Sequence, residues 1–96
     1  MHARVTHSKG DPAKADEAIR MIKETVIPNA KKLAGFKGGY WLFDRKNGVG
    51  LGVTLFESEA AVQASEEAAK KLREGAAVTG ITQITGVERY EVIAQA

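Results

Sequence analysis

The stretch Phe36–Phe56, FKGGYWLFDRKNGVGLGVTLF, decides the fold. Two β-favouring runs, Phe36–Arg45 and Val49–Phe56, flank Lys46-Asn47-Gly48. Asn-Gly between two such runs is the strongest short-range signal for a β-hairpin. A two-residue Asn47-Gly48 turn pairs Lys46 with Val49, and so Phe43 with Gly52 and Trp41 with Thr54. Side chains directly opposite share a face. One face then carries Tyr40, Leu42, Leu51, Val53 and Leu55, a set that suits packing beneath helices. The other carries Trp41, Phe43, Arg45, Thr54 and Phe56 among Gly39, Gly50 and Gly52. Rings of that size need cover. With the helices assigned to the first face, the expected cover is a second copy of the chain, the glycines leaving room for it. A three-residue turn with a bulge shifts the register by one and exchanges the two faces.

Outward from the hairpin, Ala3–His7 reads as a first strand closed by Ser8-Lys9-Gly10. Asp11-Pro12 is a helix start, Asp as N-cap and Pro at the first helical position. Ala15, Ala18, Ile19, Ile22 and Val26 then recur at helical spacing. Pro28 is expected to kink or stop that helix near Val26. Asn29–Ala34 adds a turn or two that docks Leu33, and Gly35 ends it. Ser58 caps a second helix whose inward positions, Ala61, Ser65, Ala68, Ala69, Leu72 and Ala76, are mostly small. Its charged residues Glu66, Glu67, Lys70, Lys71, Arg73 and Glu74 read as a solvated side, with Glu66–Lys70 and Glu67–Lys71 as pairs four apart. Ile81–Ile93 is a final β segment interrupted at Gly86, either as two pieces or with a bulge. The order is β-α-β-β-α-β: an α+β, ferredoxin-like domain over residues 1–96, its antiparallel sheet carrying two helices on one face.

Bulk properties agree with one small domain. Ninety-six residues bury a modest core, and without cysteine no disulfide supports it. The lack of thiols also removes thiolate catalysis and zinc–thiolate sites. The net charge of +2 comes from 14 basic and 12 acidic residues mixed along the chain, a solvated surface and no nucleic-acid footprint. Met1–Gly10 has no apolar core for a secretory signal, and no apolar run approaches the ~20 residues that span a bilayer. The expected location is cytoplasmic, with no membrane partner.

Several motifs reduce to structure. The element order is shared with RNA-binding domains, but the stacking positions of the third strand hold Val49, Leu51 and Leu55, so no RNA partner is expected. Gly48, Gly50 and Gly52 lie inside a strand and form no dinucleotide fingerprint. His2 and His7 are the only imidazoles and have no carboxylate at metal-ligand spacing, so no metal is expected. Arg4 and Thr6 share a face of the first strand and either line a cavity with Trp41 or sit at its rim.

Pro28 near the end of helix one, the Gly35-Phe36-x-Gly38 entry to strand two, and the run Leu55-Phe56-Glu57-Ser58-Glu59-Ala60-Ala61 into helix two resemble the antibiotic-biosynthesis-monooxygenase type of dimeric α/β barrel. The resemblance implies a homodimer with one cavity per subunit between sheet and helices. It implies either cofactor-free oxygenases of aromatic substrates or a non-catalytic binding or structural dimer. It also includes haem degraders, which carry an Asn on strand one, a Trp at the end of strand three and a His on helix two. The matching places here hold Arg4 or Thr6, Phe56 and Glu66, so haem degradation is not expected. The expectation is a small aromatic or polyketide-like ligand, no cofactor, and a binding set of Arg4, Thr6, Trp41, Phe43, Thr54 and Phe56, with Arg4 orienting a developing oxyanion. No catalytic residue is assigned.

Overall fold

Asp11 and Pro12 open the first helical segment as their chemistry predicts: the Asp11 carboxylate accepts the amide of Ala13 at 2.9 Å, with Pro12 at the first position. The computed structural model describes residues 1–96, the side chains of residues 77 and 78 excepted. Strand β1 is His2–Gly10; a short 3₁₀ turn leads into α1, Ala15–Met21; α2 is Ile27–Ala30. Strands β2 (Phe36–Asp44) and β3 (Val49–Phe56) form the hairpin, followed by α3 (Glu59–Ala64), α4 (Glu66–Val78) and β4 (Thr82–Glu91). The sheet order is β2-β3-β1-β4, and its three pairings are antiparallel, the ferredoxin-like α+β arrangement.

Pro28 does not end the first helix. Between α1 and α2 the chain makes a wide π turn, Ile22–Val26, and helix resumes through Pro28 to Ala30. Proline brings no N–H and its ring crowds the carbonyl four residues back, and the wider turn relieves both. The Asn29 side-chain amide donates to the Thr25 carbonyl at 2.8 Å within this segment. Leu33 docks as expected, against the core of Phe56, Ala61 and Val62.

The hairpin closes differently from the two-residue turn. The last pair is Asp44 with Val49, so Trp41 faces Gly52 and Phe43 faces Gly50. The Asp44 carboxylate accepts the amides of Lys46 and Asn47 and the Asn47 side chain, organising a four-residue loop. Gly48 is required there: its φ is +71°, and a Cβ would lie 2.1 Å from the Gly10 carbonyl oxygen. A shift of two residues changes every partner and no face, because side chains alternate with period two. A bulge at Lys37 then turns Phe36 to the side of Phe56, where the rings meet edge to face at 6.0 Å.

The assignment of faces is the main correction. Trp41, Phe43, Thr54 and Phe56 lie under the helices, and Tyr40, Leu42, Leu51, Val53 and Leu55 form the uncovered face. Arg45 belongs to neither; it sits in the loop, 3.1 Å from Asp16. The helices present mainly small buried side chains to the sheet (Ala15, Ala18, Ala30, Ala61, Ala69), so the bulk between the layers must come from the strands.

Ser58 caps α3, accepting the Ala61 amide at 3.1 Å, but the second helix is broken at Ser65 into α3 and α4. Ala68 points outward. Glu66 and Arg73 leave the solvated side and turn inward; Glu66 takes Arg4, Arg73 and Arg89 as partners in place of Lys70. Strand β4 is continuous, with its irregularity at Thr85–Gly86, where its pairing shifts opposite His7 and Ser8.

Candidate functional site

Between sheet and helices lies a cavity of about 140 Å³. It has room for several waters or for a small ring system that displaces them. Its floor is Thr6, Trp41, Phe43, Thr54 and Ile84; its roof is aliphatic, from Ala18, Met21, Ile22 and Val26 on one side and Ala69, Leu72 and Ala76 on the other. Trp41 lies across from Gly52, where a Cβ would make ordinary contact with the indole at 3.4 Å, and over Gly39, where a Cβ would crowd the ring at 3.0 Å.

Arg4 enters the cavity wall from β1 and is 2 % exposed. Its Nη2 donates to the Val62 carbonyl at 2.8 Å, to Ser65 Oγ at 3.1 Å and to Glu66 Oε2 at 2.9 Å, and its Nε to Glu66 Oε2 at 3.2 Å. Ser65 Oγ donates to the same Val62 carbonyl at 3.1 Å. The break between α3 and α4 is therefore sealed by Arg4: Ser65 and the Val62 carbonyl at the helix end are satisfied by a side chain from the sheet. The guanidinium also stands 5.1 Å above the Phe56 ring.

Glu66 gathers three guanidiniums. Its Oε1 accepts from Arg73 at 3.0 Å, and its Oε2 lies 2.9 Å from both Arg4 and Arg89. Burial by itself would raise this carboxyl, but hydrogen bonds from Arg73 and Arg89 and the charge of Arg4 outweigh it and hold the group at about 2. Burial lowers the Arg4 pKa, Glu66 opposes that, and the charges of Arg73 and Arg89 lower it further. Among the described residues Arg73 Nη1 is buried and has no acceptor. A buried donor left unmade costs about 1–3 kcal/mol, more when charged.

Of the six residues expected at a site, Arg4, Thr6, Trp41, Phe43 and Thr54 line this cavity. Phe56 is fully buried beneath Arg4, in the core with Val62. The Thr54 hydroxyl donates to the Arg4 carbonyl at 3.3 Å, so it faces its neighbouring strand. Sequence reasoning passed over Glu66 and Arg73 as solvated. Their spacing of seven, with Ala69 between them, was the signal of a shared face beside a small buried residue. His7 lies on the uncovered face with Glu88, and His2 is 3.8 Å from Glu59. Among the described residues no three His, Cys, Asp or Glu side chains gather as a metal site would need.

The chain has the fold of the antibiotic biosynthesis monooxygenases. HapK from Hahella chejuensis superposes with a TM-score of 0.76 at 13% identity, over 100% of this chain and 96% of that one. A monooxygenase from the gene ActVA-Orf6 of Streptomyces coelicolor, in complex with nanaomycin D, gives 0.71 at 14%, over 99% and 89%. A mutant of MhuD with two manganese protoporphyrin IX bound per active site gives 0.77 at 16%, over 100% and 98%. At these identities the likeness is one of fold. No protein-family description and no curated protein matches the chain. No described helix is long and apolar enough to cross a membrane.

Proposed function

We propose that this chain forms a homodimer that binds a small aromatic or polyketide-like molecule in the sheet–helix cavity and oxygenates it without a metal or organic cofactor. One observation carries the reading: an indole and a phenyl ring on the floor of an otherwise aliphatic cavity, in a fold that a monooxygenase uses with nanaomycin D bound. Trp41 and Phe43 offer stacking faces, and the aliphatic roof keeps water from the reacting carbon. For an anthrone-like substrate the balance is simple. O₂ is the oxidant; one oxygen atom becomes the new carbonyl and the other leaves as water with the two methylene hydrogens.

One observation favours a second reading, a binding protein without turnover. Among the described residues the cavity lining holds no carboxylate or imidazole to take the substrate's proton. Oxygen uptake with anthrone- and hydroquinone-like substrates separates the two. The oxygenase reading expects saturable uptake, lost in Trp41→Ala. Binding without uptake moves the protein to the second reading, and the absence of binding sinks both.

The residues present do not suit a haem. Neither histidine reaches the cavity, and Glu66, at the helix-two place where the resemblance would put an axial histidine, is closed off by three arginines. A haemin titration should leave the Soret band where it stands for free haemin.

The dimer rests on the uncovered sheet face. Tyr40, Leu42 and Tyr90 there are 64, 52 and 52 % exposed, and Val49 adds to them. The chain exposes 6118 Å², against about 5,400 Å² for a compact monomer of its mass. The excess is close to the ~800 Å² that one partner contributes to a standard interface.

A further inference from the structure

Gly39, Gly50 and Gly52 lie on the cavity face of the hairpin, and their surroundings differ. At Gly39 a Cβ would crowd the Val53 carbonyl oxygen at 2.9 Å and the Trp41 benzo edge at 3.0 Å; at Gly50 the Ser8 hydroxyl already fills the place. At Gly52 a Cβ would meet nothing nearer than 3.4 Å, which is ordinary van der Waals contact. Gly52 has no positive φ, and its pairings with Thr6 and Trp41 run without a bulge. Glycine weakens a strand, through backbone entropy and a missing side-chain contact. Neither the backbone nor the neighbours of Gly52 demand it, and Gly52 lines the cavity. The remaining reason for a bare position inside a strand is the close approach of a ligand.

Thr6 and Trp41 flank Gly52 in one cross-strand row. The Cδ1–Nε1 edge of the indole lies 3.4 Å from the Cβ position of Gly52, and the Thr6 Cβ lies 3.9 Å from it. Thr54, on the same floor, spends its hydroxyl on the Arg4 carbonyl. Among the described residues neither Trp41 Nε1 nor Thr6 Oγ1 has a partner in the protein, and the one buried side-chain polar atom without a partner is Arg73 Nη1. The indole nitrogen and the Thr6 hydroxyl therefore keep accessible surface, in residues that line the cavity. The charged groups of the lining, Arg4 and Arg73, are paired with Glu66.

We infer that the space over Gly52 receives an uncharged ring oxygen of the ligand, a phenol or a ketone, held by the Trp41 indole N–H and the Thr6 hydroxyl, and that Gly52 sets which rings enter. This rests on the cavity being a ligand site, as proposed above. An indole N–H only donates, while a hydroxyl donates and accepts. A ketone thus takes two hydrogen bonds here, and a phenol takes one and returns one. An oxygen at the Cβ position stands about half an ångström beyond hydrogen-bond length from Nε1, which a small tilt of the ring closes. A methyl group in that place excludes the oxygen and leaves the sheet intact.

Trp41 is the only tryptophan, so a nitrogen–proton correlation spectrum of the full chain holds a single indole cross-peak. Titration with 2-naphthol and with naphthalene at neutral pH, where a phenol keeps its proton, tests the inference in the wild type, Thr6→Val and Gly52→Ala. The wild type should bind naphthol about fivefold more tightly, as one or two added hydrogen bonds give. Its indole proton should move downfield with naphthol and not with naphthalene. Thr6→Val should keep that movement and lose part of the preference. Gly52→Ala should melt no lower than the wild type and bind both compounds alike. The wild-type readings need no variant, so a folding defect in Gly52→Ala does not remove the test. Equal binding by the wild type, or an indole proton that naphthol leaves in place, overturns the inference and leaves the cavity reading standing. A preference undiminished in a folded Gly52→Ala overturns the role of Gly52. Binding of neither compound overturns the cavity reading itself.

Discussion

Arg4 joins sheet to helices through one carbonyl, one hydroxyl and one carboxylate in a nearly dry setting. Removing it leaves Glu66 to Arg73 and Arg89 and the Val62 carbonyl to Ser65 alone. Arg4→Met should therefore lose about 1.5–3 kcal/mol in urea unfolding, the range for a hydrogen bond to a charged group. Glu66 gives a pH signature. Its folded value, about 2, lies below the ordinary 4.5. Its contribution to stability is thus complete above the unfolded value and declines as pH falls from there through the folded one. Thermal melts at descending pH should show that decline in the wild type. Glu66→Gln should begin less stable at neutral pH and fall less steeply across the same interval.

Two glycines separate the demands of different elements. Gly48 closes the β2–β3 loop at positive φ, hard against Gly10, and Gly48→Ala should destabilise by about 1–3 kcal/mol. Gly75 lies within α4, exposed, with nothing within 4 Å of where its Cβ would be. Gly75→Ala should stabilise by about 0.5–1 kcal/mol, since glycine loses more backbone freedom in a helix than alanine. Melting temperatures of the two variants moving in opposite directions would confirm both assignments. The element scale also shows where local signals stop. Asp11-Pro12 and Ser58 were readable as caps because a cap is a contact between residues two or three apart. The break at Ser65 was not, because the group that satisfies it, Arg4, lies 61 residues earlier in the chain.

For the whole molecule, the consequence is an apolar sheet face that also carries His7, Glu88 and Tyr90 as a linked group, with the Tyr90 hydroxyl donating to Glu88 at 2.7 Å. Tyr40 and Leu42 lie among its most exposed apolar residues. If two copies join there, the wild type should sediment at twice 10.3 kDa. Leu42→Glu should sediment as a single chain, because each interface would then bury two unpaired carboxylates. A wild type that stays single at micromolar concentration would remove the dimer from the proposal.

The element order, the helix starts, the hairpin and an irregularity beside Gly86 in the last strand were all determined by the sequence alone, since each is a local matter of turn chemistry, capping or period. So was the grouping of Trp41, Phe43, Thr54 and Phe56 on one face, which survived a register shift of two because alternation has period two. Which face met the helices was decided only in three dimensions. That choice depends on how the volumes of two layers add, and the small side chains of the helices required the large rings opposite them. The inward turn of Glu66 was likewise tertiary: a charged residue on a helix reads as solvated until Arg4 and Arg89, from two strands, supply its countercharge, and Arg73 follows it inward as a third partner.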